Sequence, residues 1–403
     1  MDWFAVSGDG TRLVVVDGAS GLSLAHHLVR AGDVTVTVVE APDGPLRPAE
    51  RTWCYWEEGP GEFEDAVVAS WSRLRVHGRD GGAVTADPAP LRYRMLRSAP
   101  FESLVLSGLA RRPGVRVVRA TAHDVRDGLR GGAEVHCTAP DGRALVLRAG
   151  YAFDSRPPRR LPPARTTLLQ HFRGWFVRTA APRFDPGVAD LMDFRVPQPR
   201  HGLAFGYVLP LAPDRALVEY TEFSRAPLAT AAYEAALRRY TGEVLRLGAL
   251  SVESAEQGVI PMTDGRFPRR VGRAVFRIGA AGGATRPATG YTFAAVQRQS
   301  RQVARALGEG GGAVPPPHGR RALAMDAVLL RALDTGRVNG PDFFTGLFRR
   351  VPAERLLRFL DGATSPWEEV GIGLRTPVGP MLRTAAELPF LRRRTPGSGE
   401  DPL

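Results

Sequence analysis

The hydrophobic pattern at the start of the chain predicts a strand, a short turn, a helix and a second strand. Leu13 to Val16 form an apolar, β-branched run that is typical of a strand buried on both faces of a parallel sheet. The segment LSLAHHLVRAG then has helical spacing and ends at Gly32. The next strand, Val34 to Val39, ends at Glu40. This order predicts a βαβ unit.

A second unit of the same kind lies late in the chain, from Val275 to Gln299. A short strand run breaks into glycines, and after Pro287 the chain continues as a helix. Free N–H groups and the positive end of the helix dipole make such a junction an anion site. Either unit alone is also compatible with an ordinary strand–turn–helix connection, but two units at opposite ends suggest a dinucleotide with its pyrophosphate between them. The glycines of this late unit are Gly279, Gly282, Gly283 and Gly290.

The early turn departs from the usual dinucleotide fingerprint. Gly18 and Gly21 occupy its second and third glycine positions, whereas Val16 stands where the first glycine belongs. A β-branched residue resists positive φ, and Asp17 adds a negative charge beside two phosphates. The pattern therefore predicts weakened cofactor binding, or a turn that is one residue shorter. Glu40 lies at the spacing that places a carboxylate on a ribose hydroxyl, the alternative being a simple charge at a strand end.

The sequence pattern changes in the middle of the chain. The aromatic-rich segment Arg51 to Glu58 is predicted as a loop that could wall a ligand. Segments 168–179, 203–211 and 215–223 have strand patterns interrupted by Pro and Gly, which predicts a separate antiparallel sheet over the cofactor. After Pro317 the pattern becomes helical.

These patterns divide the chain into four predicted regions. A discontinuous dinucleotide-binding domain comprises residues 1–70, 95–160 and 268–310. A substrate-binding antiparallel sheet comprises residues 71–94 and 161–267. A helical region follows at 311–390, and residues 391–403 are predicted to be a disordered tail because they are rich in Arg, Pro and Gly.

The amino-acid composition limits the classes of binding partner and the cellular location that can be expected. The formal charge of the 403 residues is +12, all of the positive charge is carried by arginine, and the arginines lack the aromatic interleaving of a nucleic-acid face. Nucleic acid is therefore not expected. Two distant cysteines, Cys54 and Cys137, indicate neither a disulfide framework nor a metal site. The sequence shows no secretory signal pattern and no apolar run of the ~18 residues that span a bilayer, so a cytoplasmic location is expected.

Six motifs in sequence order resemble the flavoprotein lycopene cyclases of carotenoid-making bacteria, over nearly the whole chain. They are RTWCYW, FDSRP, LLQHFRGWFVRT, PLAPDRALVEYTEFS, GVIPMT and IGAAGGATRPATGYTFAAVQRQ. The resemblance implies an α/β protein with a glutathione-reductase-type FAD-binding fold, an interleaved antiparallel-sheet substrate domain and a helical C-terminal region.

The resemblance also implies an activity. Family members close β-ionone rings at the ends of lycopene, forming β-carotene by way of γ-carotene, with reduced FAD and without net redox change. NAD(P)H would serve only to reduce the flavin, and no second nucleotide motif is visible. Two other interpretations stay open: a redox flavoenzyme acting on another isoprenoid, and a cofactor-poor protein that binds carotenoids. The sequence does not indicate an oligomeric state.

Strand RALVEYTEF offers the acid that such a reaction needs. With a period of two, Glu219 and Glu222 lie on opposite faces, so the two carboxyls cannot line one pocket. The family motif matches Glu219, which is therefore predicted as the catalytic acid/base. A carboxyl in an apolar pocket keeps its proton near neutral pH because desolvation disfavours its charged form. The alternative is a structural carboxylate paired with an arginine.

The segment from Phe343 to Leu360 alternates apolar residues with arginines, and Pro352 divides it into two short helices. A basic amphipathic surface here would lay the pocket mouth on the bilayer in which lycopene dissolves. This predicts peripheral membrane contact, whereas packing of the same apolar faces into the protein core is the alternative.

Overall fold

The structure is a computed structural model that describes residues 12–16, 18–32, 34–44, 47, 49–309 and 314–395. Strands dominate the chain up to residue 277, and helices dominate after it. The strands in the described residues are β1 (Arg12–Val16), β2 (Thr35–Glu40), β3 (Thr52–Glu58), β4 (Val67–Trp71), β5 (Arg73–His77), β6 (Ala83–Ala86), β7 (Leu91–Arg97), β8 (Val115–Arg119), β9 (Thr121–Asp127), β10 (Ala133–Thr138), β11 (Ala144–Ala149), β12 (Tyr151–Asp154), β13 (Thr167–Thr179), β14 (Val188–Asp193), β15 (Leu203–Ala212), β16 (Arg215–Ser224), β17 (Leu250–Thr263) and β18 (Val275–Arg277). The α-helices are α1 (Ala19–Ala31), α2 (Ser98–Ala110), α3 (Thr230–Arg239), α4 (Phe293–Gly308), α5 (Arg320–Asp334), α6 (Gly340–Arg350), α7 (Ala353–Leu360), α8 (Pro366–Gly373) and α9 (Val378–Glu387).

A parallel sheet of the order β18–β12–β1–β2–β8 forms the first layer. Leu13 and Val15 of β1 face a core shared with helices α1, α2 and α4, whereas Val14 and Val16 face the small antiparallel sheet β9–β10–β11. Because both faces are covered, the strand is apolar at every position from residue 13 to 16. The predicted βαβ unit is confirmed.

A seven-stranded sheet of the order β17–β13–β16–β15–β14–β5–β6 forms the second layer. Its neighbouring strands are antiparallel except for the parallel pair β14 and β5. The predicted strands at 168–179, 203–211 and 215–223 correspond to β13, β15 and β16. One face of this sheet packs on helices α5 to α7 in the largest apolar core of the described structure.

The segment Arg51 to Glu58 is not a loop, and that prediction is wrong. Residues Thr52 to Glu58 form β3, which pairs with β7 in the three-stranded antiparallel sheet β3–β7–β4. The aromatic crowding reflects two different environments, because Tyr55 and Trp56 are buried in separate cores. Aromatic residues are favoured in such half-buried strands.

This third sheet also affects the predicted division of the chain. The boundaries at residues 70/71 and 94/95 fall inside β4 and β7. The predicted disordered tail is wrong for residues 391–395, because Arg394 exchanges two backbone hydrogen bonds with Ala164, of 2.9 and 2.7 Å. Residues 396–403 lie outside the described part of the chain.

The C-terminal helices α6 and α7 do not form the predicted membrane surface. Phe343, Phe344, Leu347 and Phe348 of α6 and Leu356 and Leu357 of α7 are buried in the core against the seven-stranded sheet. The alternative of core packing is therefore correct for this segment. Within the described residues, no helix has both the length and the apolar character that crossing a bilayer requires.

Candidate active site

The early turn forms a helix N-terminus that is not capped by any side chain of the described residues. Gly18 precedes α1 with φ of 115°, and the first turn of the helix contains no acidic residue. A Cβ at Gly21 would lie 2.1 Å from the carbonyl oxygen of Val16, so glycine is required where the helix meets the strand. This is the close helix–strand packing expected of the third glycine in a dinucleotide fingerprint.

The prediction of backbone strain at Val16 is wrong. Val16 is the last residue of β1, pairs with Val39 in regular parallel register, and its carbonyl accepts a hydrogen bond of 2.8 Å from Ser155 Oγ. Arg246, with φ of 51°, is the only non-glycine residue with positive φ among the described residues. The strand therefore continues to Val16, and Gly18 makes the turn. Asp17 lies outside the described residues, so its predicted effect on phosphate stays a prediction.

The late unit meets the early one directly. Gly279 begins a single 3₁₀ turn after β18 with φ of 62°, and a Cβ there would lie only 2.1 Å from Ser20 Oγ in α1. Gly282 packs on the carbonyl of Arg277, at 2.5 Å from a hypothetical Cβ, and Gly283 has φ of 83°. The two glycine turns are thus in contact, as the pyrophosphate hypothesis requires.

Helices α1 and α4 lie side by side behind these turns. Gln297 of α4 donates a hydrogen bond of 2.8 Å to Ser23 Oγ of α1, and its side-chain oxygen lies 3.3 Å from His27 Nε2. The N-terminus of α4 also has neither a side-chain cap nor an acidic residue in its first turn. Two uncapped helix N-termini beside adjoining glycine turns fit a dinucleotide phosphate chain.

Glu40 is in place at the end of β2 but is already paired. Its buried carboxylate accepts a hydrogen bond of 2.9 Å from Arg47 and lies 3.8 Å from Arg119. Arg47 also contacts Glu102 at 3.0 Å. The predicted contact of Glu40 with a ribose stays a prediction.

Glu219 lies buried on β16, with 7 % of its surface exposed. Within the described residues, the carboxyl of Glu219 accepts one side-chain hydrogen bond, from the hydroxyl of Thr221 at 2.5 Å. Burial, with a smaller contribution from the charge of Glu256, raises the pKa of Glu219 to about 8. The carboxyl therefore holds a proton at neutral pH.

Glu222 lies on the other face, as the period of two predicts. It accepts a hydrogen bond of 3.0 Å from the hydroxyl of Tyr220 and lies 3.6 Å from His171 Nε2. Burial raises its pKa, although the Tyr220 hydrogen bond acts in the opposite direction. Because the sheet separates the two carboxyls, only one of them is available to each side.

Three tyrosines connect Glu219 to the late glycine segment. Tyr207 is the cross-strand partner of Glu219, and its hydroxyl lies 2.6 Å from that of Tyr93. The Tyr93 hydroxyl lies 3.1 Å from that of Tyr291, which directly follows Gly290. Gly290 itself has φ of 74° and approaches the side-chain oxygen of Gln170 on β13. The tyrosines come from distant elements, which is why the sequence analysis did not identify them.

Cys54 adds an uncharged thiol to this cluster. Burial raises the pKa of Cys54 to about 12, although the neighbouring hydroxyls of Tyr207 and Tyr93 act in the opposite direction. Thr52 and Trp56 share its face of β3, since side chains alternate along a strand. The Trp56 ring lies edge-on to Tyr291 with centroids 4.7 Å apart. Sequence reasoning singled out the aromatic residues of this segment but not Cys54 as part of the site.

A small cavity lies between β3 and the first turn of α4. Arg286 reaches it almost fully buried, with 3 % of its surface exposed, and donates a hydrogen bond of 2.8 Å to Asp326. Its Nε and Nη1 atoms have no hydrogen-bond partner among the described residues, which fits a ligand with acceptor atoms. The cavity is lined by Cys54, Tyr55, Trp56, Arg286, Tyr291, Thr292, Phe293, Ala294, Ala295 and Asp361.

One group of metal-ligating side chain types occurs elsewhere in the described structure. His26, His27 and Glu62 bring their ligand atoms within 4.8 Å of one another. Glu62 also lies 3.4 Å from Arg30 and 3.5 Å from Arg301, so the group belongs to an ion-pair network between helices α1 and α4.

The layers described above have the same fold as a flavoprotein and other enzymes of known structure. A flavoprotein/dehydrogenase from Cytophaga hutchinsonii superposes with a TM-score of 0.65 at 12 % identity, covering 94 % of this chain and 99 % of that chain. A geranylgeranyl bacteriochlorophyll reductase-like protein from Thermoplasma acidophilum gives 0.60 at 12 % identity, with 94 % and 98 % covered. A p-nitrophenol 4-monooxygenase from Pseudomonas putida gives 0.56 at 16 % identity, with 96 % and 99 % covered. The predicted fold class is confirmed.

The chain belongs to the lycopene cyclase family. The family model, described as lycopene cyclase protein, matches residues 13–386, which include both glycine turns and Glu219. The family resemblance inferred from the sequence motifs is thereby confirmed. The comparison with curated proteins gave no match.

We expect Glu219→Gln to remove a pH-dependent cost of folding. The buried carboxyl keeps its proton up to about pH 8, whereas its ordinary pKa is 4.5. Wild-type stability should therefore fall as the pH rises from 4.5 to about 8, with a slope of up to ~1.4 kcal/mol per pH unit from this group. Glutamine does not titrate, so the variant should lack this component. Chemical denaturation at several pH values measures the slope.

Glu253→Gln is the matched control for this experiment. Arg215 and Arg178 lower the pKa of Glu253 through hydrogen bonds, so this carboxylate titrates below the pH range in question. Its replacement should leave the slope unchanged. Identical slopes for wild type and Glu219→Gln would contradict the assignment of a protonated Glu219.

Proposed function

We propose that this protein cyclises the acyclic ends of lycopene to β-ionone rings, forming β-carotene by way of γ-carotene with reduced FAD bound. Membership of the lycopene cyclase family supports the substrate class and a place in carotenoid biosynthesis. The observation that carries the proposal is the buried carboxyl of Glu219, whose pKa of about 8 keeps it protonated at neutral pH. Such a group can act as a general acid.

Ring closure is an isomerisation. One proton adds to the terminal double bond, the resulting cation is attacked by an internal double bond, and one proton leaves, so no electrons are transferred overall. Glu219 would donate the first proton. The faces of Trp56, Tyr93 and Tyr291 can stabilise the cation through their π electrons, and the burial of Trp56 and Tyr93 keeps water away from it.

The residues that would hold FAD are those of the two glycine turns. Gly18 would let the phosphates approach, and Gly21, Gly279, Gly282 and Gly283 would shape the two turns around them. Gly290 would lead into the α4 N-terminus, and Glu40 would lie near the ribose. Bound reduced FAD would supply a negative charge that stabilises the carbocation. NAD(P)H is the proposed source of electrons for reducing the flavin, and it would not be consumed in each turnover.

A redox flavoenzyme acting on another isoprenoid is the second candidate, since reductases and monooxygenases share this fold. It would consume one reductant per turnover. A cofactor-poor carotenoid-binding protein is the third candidate, and the two adjoining glycine turns favour a cofactor-binding protein over it.

We expect Glu219→Gln to reduce cyclisation by at least ~10²-fold while FAD content stays at the wild-type level, because only the positioned acid is lost. Pigment chromatography after co-expression with a lycopene-producing pathway measures the product. Wild-type activity should decline as the pH rises through about 8, where Glu219 loses its proton. Glu222→Gln, on the opposite face of the same strand, is the control. Undiminished β-carotene formation by Glu219→Gln would exclude Glu219 as the acid.

We expect cyclisation to require reduced flavin without consuming reductant. Under anaerobic conditions dithionite should replace NAD(P)H, and the amount of reductant oxidised per ring formed should be far below one. Anaerobic assays that quantify both NAD(P)H and carotenoid products give this ratio. A ratio of one would instead support the redox flavoenzyme.

We also propose that the protein contacts the cytoplasmic face of a membrane, through helices α8 and α9 and not through α6 and α7. We call this surface the C-terminal apolar face, and its apolar residues have between 38 and 87 % of their surface exposed. Trp367, Val370 and Leu374 follow helical spacing, so they share one side of α8. The face consists of Trp367, Val370, Leu374, Val378, Leu382 and Phe390.

Exposed arginines accompany this face. Arg375 lies between α8 and α9, and Arg383 lies on α9. Exposed Trp and Leu side chains beside cationic ones are typical of helices that lie in the interface of an anionic bilayer. Lycopene dissolves in hydrocarbon, so this contact would place the protein at the source of the proposed substrate.

We expect the purified protein to float with vesicles of phosphatidylcholine and phosphatidylglycerol. The double variant Trp367→Ser/Leu374→Ser should bind markedly less. Leu129→Ser/Val252→Ser is the matched control, because these two residues are also exposed but lie elsewhere, Leu129 in the turn between β9 and β10 and Val252 on β17. Equal flotation of the two double variants, or no flotation of wild type, would rule out this surface.

A further inference from the structure

Four residues form a straight row across the seven-stranded sheet. Tyr207 of β15 pairs with Glu219 of β16, Glu219 pairs with Gly174 of β13, and Gly174 pairs with Glu256 of β17. Directly opposite residues in antiparallel strands project from the same face. The second glutamate therefore lies on the same side of the sheet as Glu219, and the glycine separates them.

Gly174 leaves a gap between the two carboxyl side chains. A Cβ at this position would lie 2.8 Å from Leu217 Cδ1 and 3.5 Å from Glu219 Cβ, so a larger residue would fill the space. Neighbouring strands lie ~4.8 Å apart, which places the two glutamate backbones ~10 Å from each other. Glutamate side chains are long enough to approach one another across a glycine at this separation.

The surroundings of the two carboxyls differ. Thr52 Oγ1 donates a hydrogen bond of 2.8 Å to Glu256, and the half-buried Glu256 also experiences the positive charge of Arg97 and the negative charge of Glu50. Arg97 lies over the Phe176 ring, 4.5 Å from its centroid, on this same face of β13.

Glu219, by contrast, is buried without an arginine. In the part of the chain that the structure describes, its side chain is hydrogen-bonded by Thr221 alone. The thiol of Cys54 and the hydroxyl of Tyr207, the other titratable groups near it, are uncharged because burial raises the pKa of both. Burial raises the pKa of Glu256 as well, but the Thr52 hydrogen bond and the charge of Arg97 act against that rise. Of the two carboxyls, Glu256 is thus the one whose surroundings oppose ionisation less.

We propose that Glu219 and Glu256 act as a pair that holds one proton, in which ionised Glu256 keeps that proton on Glu219. Two neighbouring carboxyls in a poorly solvated site cannot both ionise. One of them therefore stays protonated as the acid while the other is ionised as the base. Glu256 is on this view a positioning residue that acts through Glu219.

The role of the pair in catalysis rests on the proposed function. Glu219 gives its proton to the terminal double bond of the substrate, and closing the β-ionone ring releases one proton. The pair takes up that proton, so its proton count is unchanged after each ring and no external acid or base is consumed.

The first test needs no substrate. Infrared difference spectroscopy across a pH titration follows the protonated carboxyl of Glu219 in the purified protein, and Glu219→Gln identifies its signal. In Glu256→Gln the negative charge is removed, and the midpoint for Glu219 should move to lower pH, with a proton affinity at least about three-fold weaker. Glu256→Asp keeps the charge and should restore most of the wild-type midpoint.

Glu253→Gln is the matched control on the same strand. Glu253 is bound by Arg178 at 2.9 Å and Arg215 at 2.5 Å, outside the row. Its replacement should leave the Glu219 midpoint unchanged. If Glu256→Gln does not fold, Thr52→Val serves instead, because losing its hydrogen bond weakens the carboxylate form of Glu256 and should move the midpoint in the same direction.

The second test uses activity. The alkaline limb of the kcat/KM profile for cyclisation should shift to lower pH in Glu256→Gln and stay in place in Glu253→Gln. An unshifted Glu219 midpoint in Glu256→Gln overturns the pair. A shifted midpoint in a protein that forms no β-carotene would support the pair while refuting the proposed function, so the two failures are distinguishable.

Discussion

The contact between Gly279 and Ser20 fixes the arrangement of the first layer. Any side chain at Gly279 would collide with the Ser20 hydroxyl, 2.1 Å from a hypothetical Cβ, so the late turn can approach α1 only because this residue is glycine. Parallel pairing of β18 with β12 and of β12 with β1 holds the two turns at the same sheet edge. The start and the end of the α/β part of the chain therefore meet at one edge of the sheet, where the proposed anion site lies.

The same late segment joins the two layers. After Gly290 the chain places Tyr291 against Tyr93, and Tyr93 against Tyr207 of the seven-stranded sheet. Because a hydroxyl group can both donate and accept a hydrogen bond, the three tyrosine hydroxyls satisfy one another, and their burial is less costly. This chain of hydrogen bonds also links the late turn to β15, the strand that pairs with β16 and places Tyr207 opposite Glu219.

Local patterns predicted the parts of this structure that depend on local chemistry. The apolar run at Leu13–Val16, the glycines at both turns and the opposite faces of Glu219 and Glu222 follow from strand and helix periodicity alone. The strand β3 was missed because its aromatic residues serve two different cores, which disguises the alternation. Strain at Val16 was wrongly expected because aligning a fingerprint does not show where a strand ends.

Contacts between residues that are distant in sequence could not be predicted from these local patterns. Tyr93, Tyr207 and Tyr291 are separated by 114 and 198 positions from their hydrogen-bond partners, and Glu256 reaches Glu219 only through the pairing of two strands with β13. Helices α6 and α7 illustrate a different limit. Apolar and arginine residues alternate there in the way that suits either a lipid surface or a core, and only the sheet packed against them decides between the two.

Glu219 has no arginine partner among the described residues, although all 54 lysine-or-arginine positions of the chain are arginine. Several other buried carboxylates of the described structure are paired with arginine: Asp190 with Arg75, Asp193 with Arg195, Asp326 with Arg286. An arginine stabilises the ionised form and makes a carboxyl useless as a proton donor near neutral pH. Glu219 is instead given a hydroxyl, neutral neighbours and a second carboxylate across Gly174. Each of these favours or tolerates the protonated form of the carboxyl. The same environment that lowers the stability of the folded protein therefore keeps Glu219 protonated.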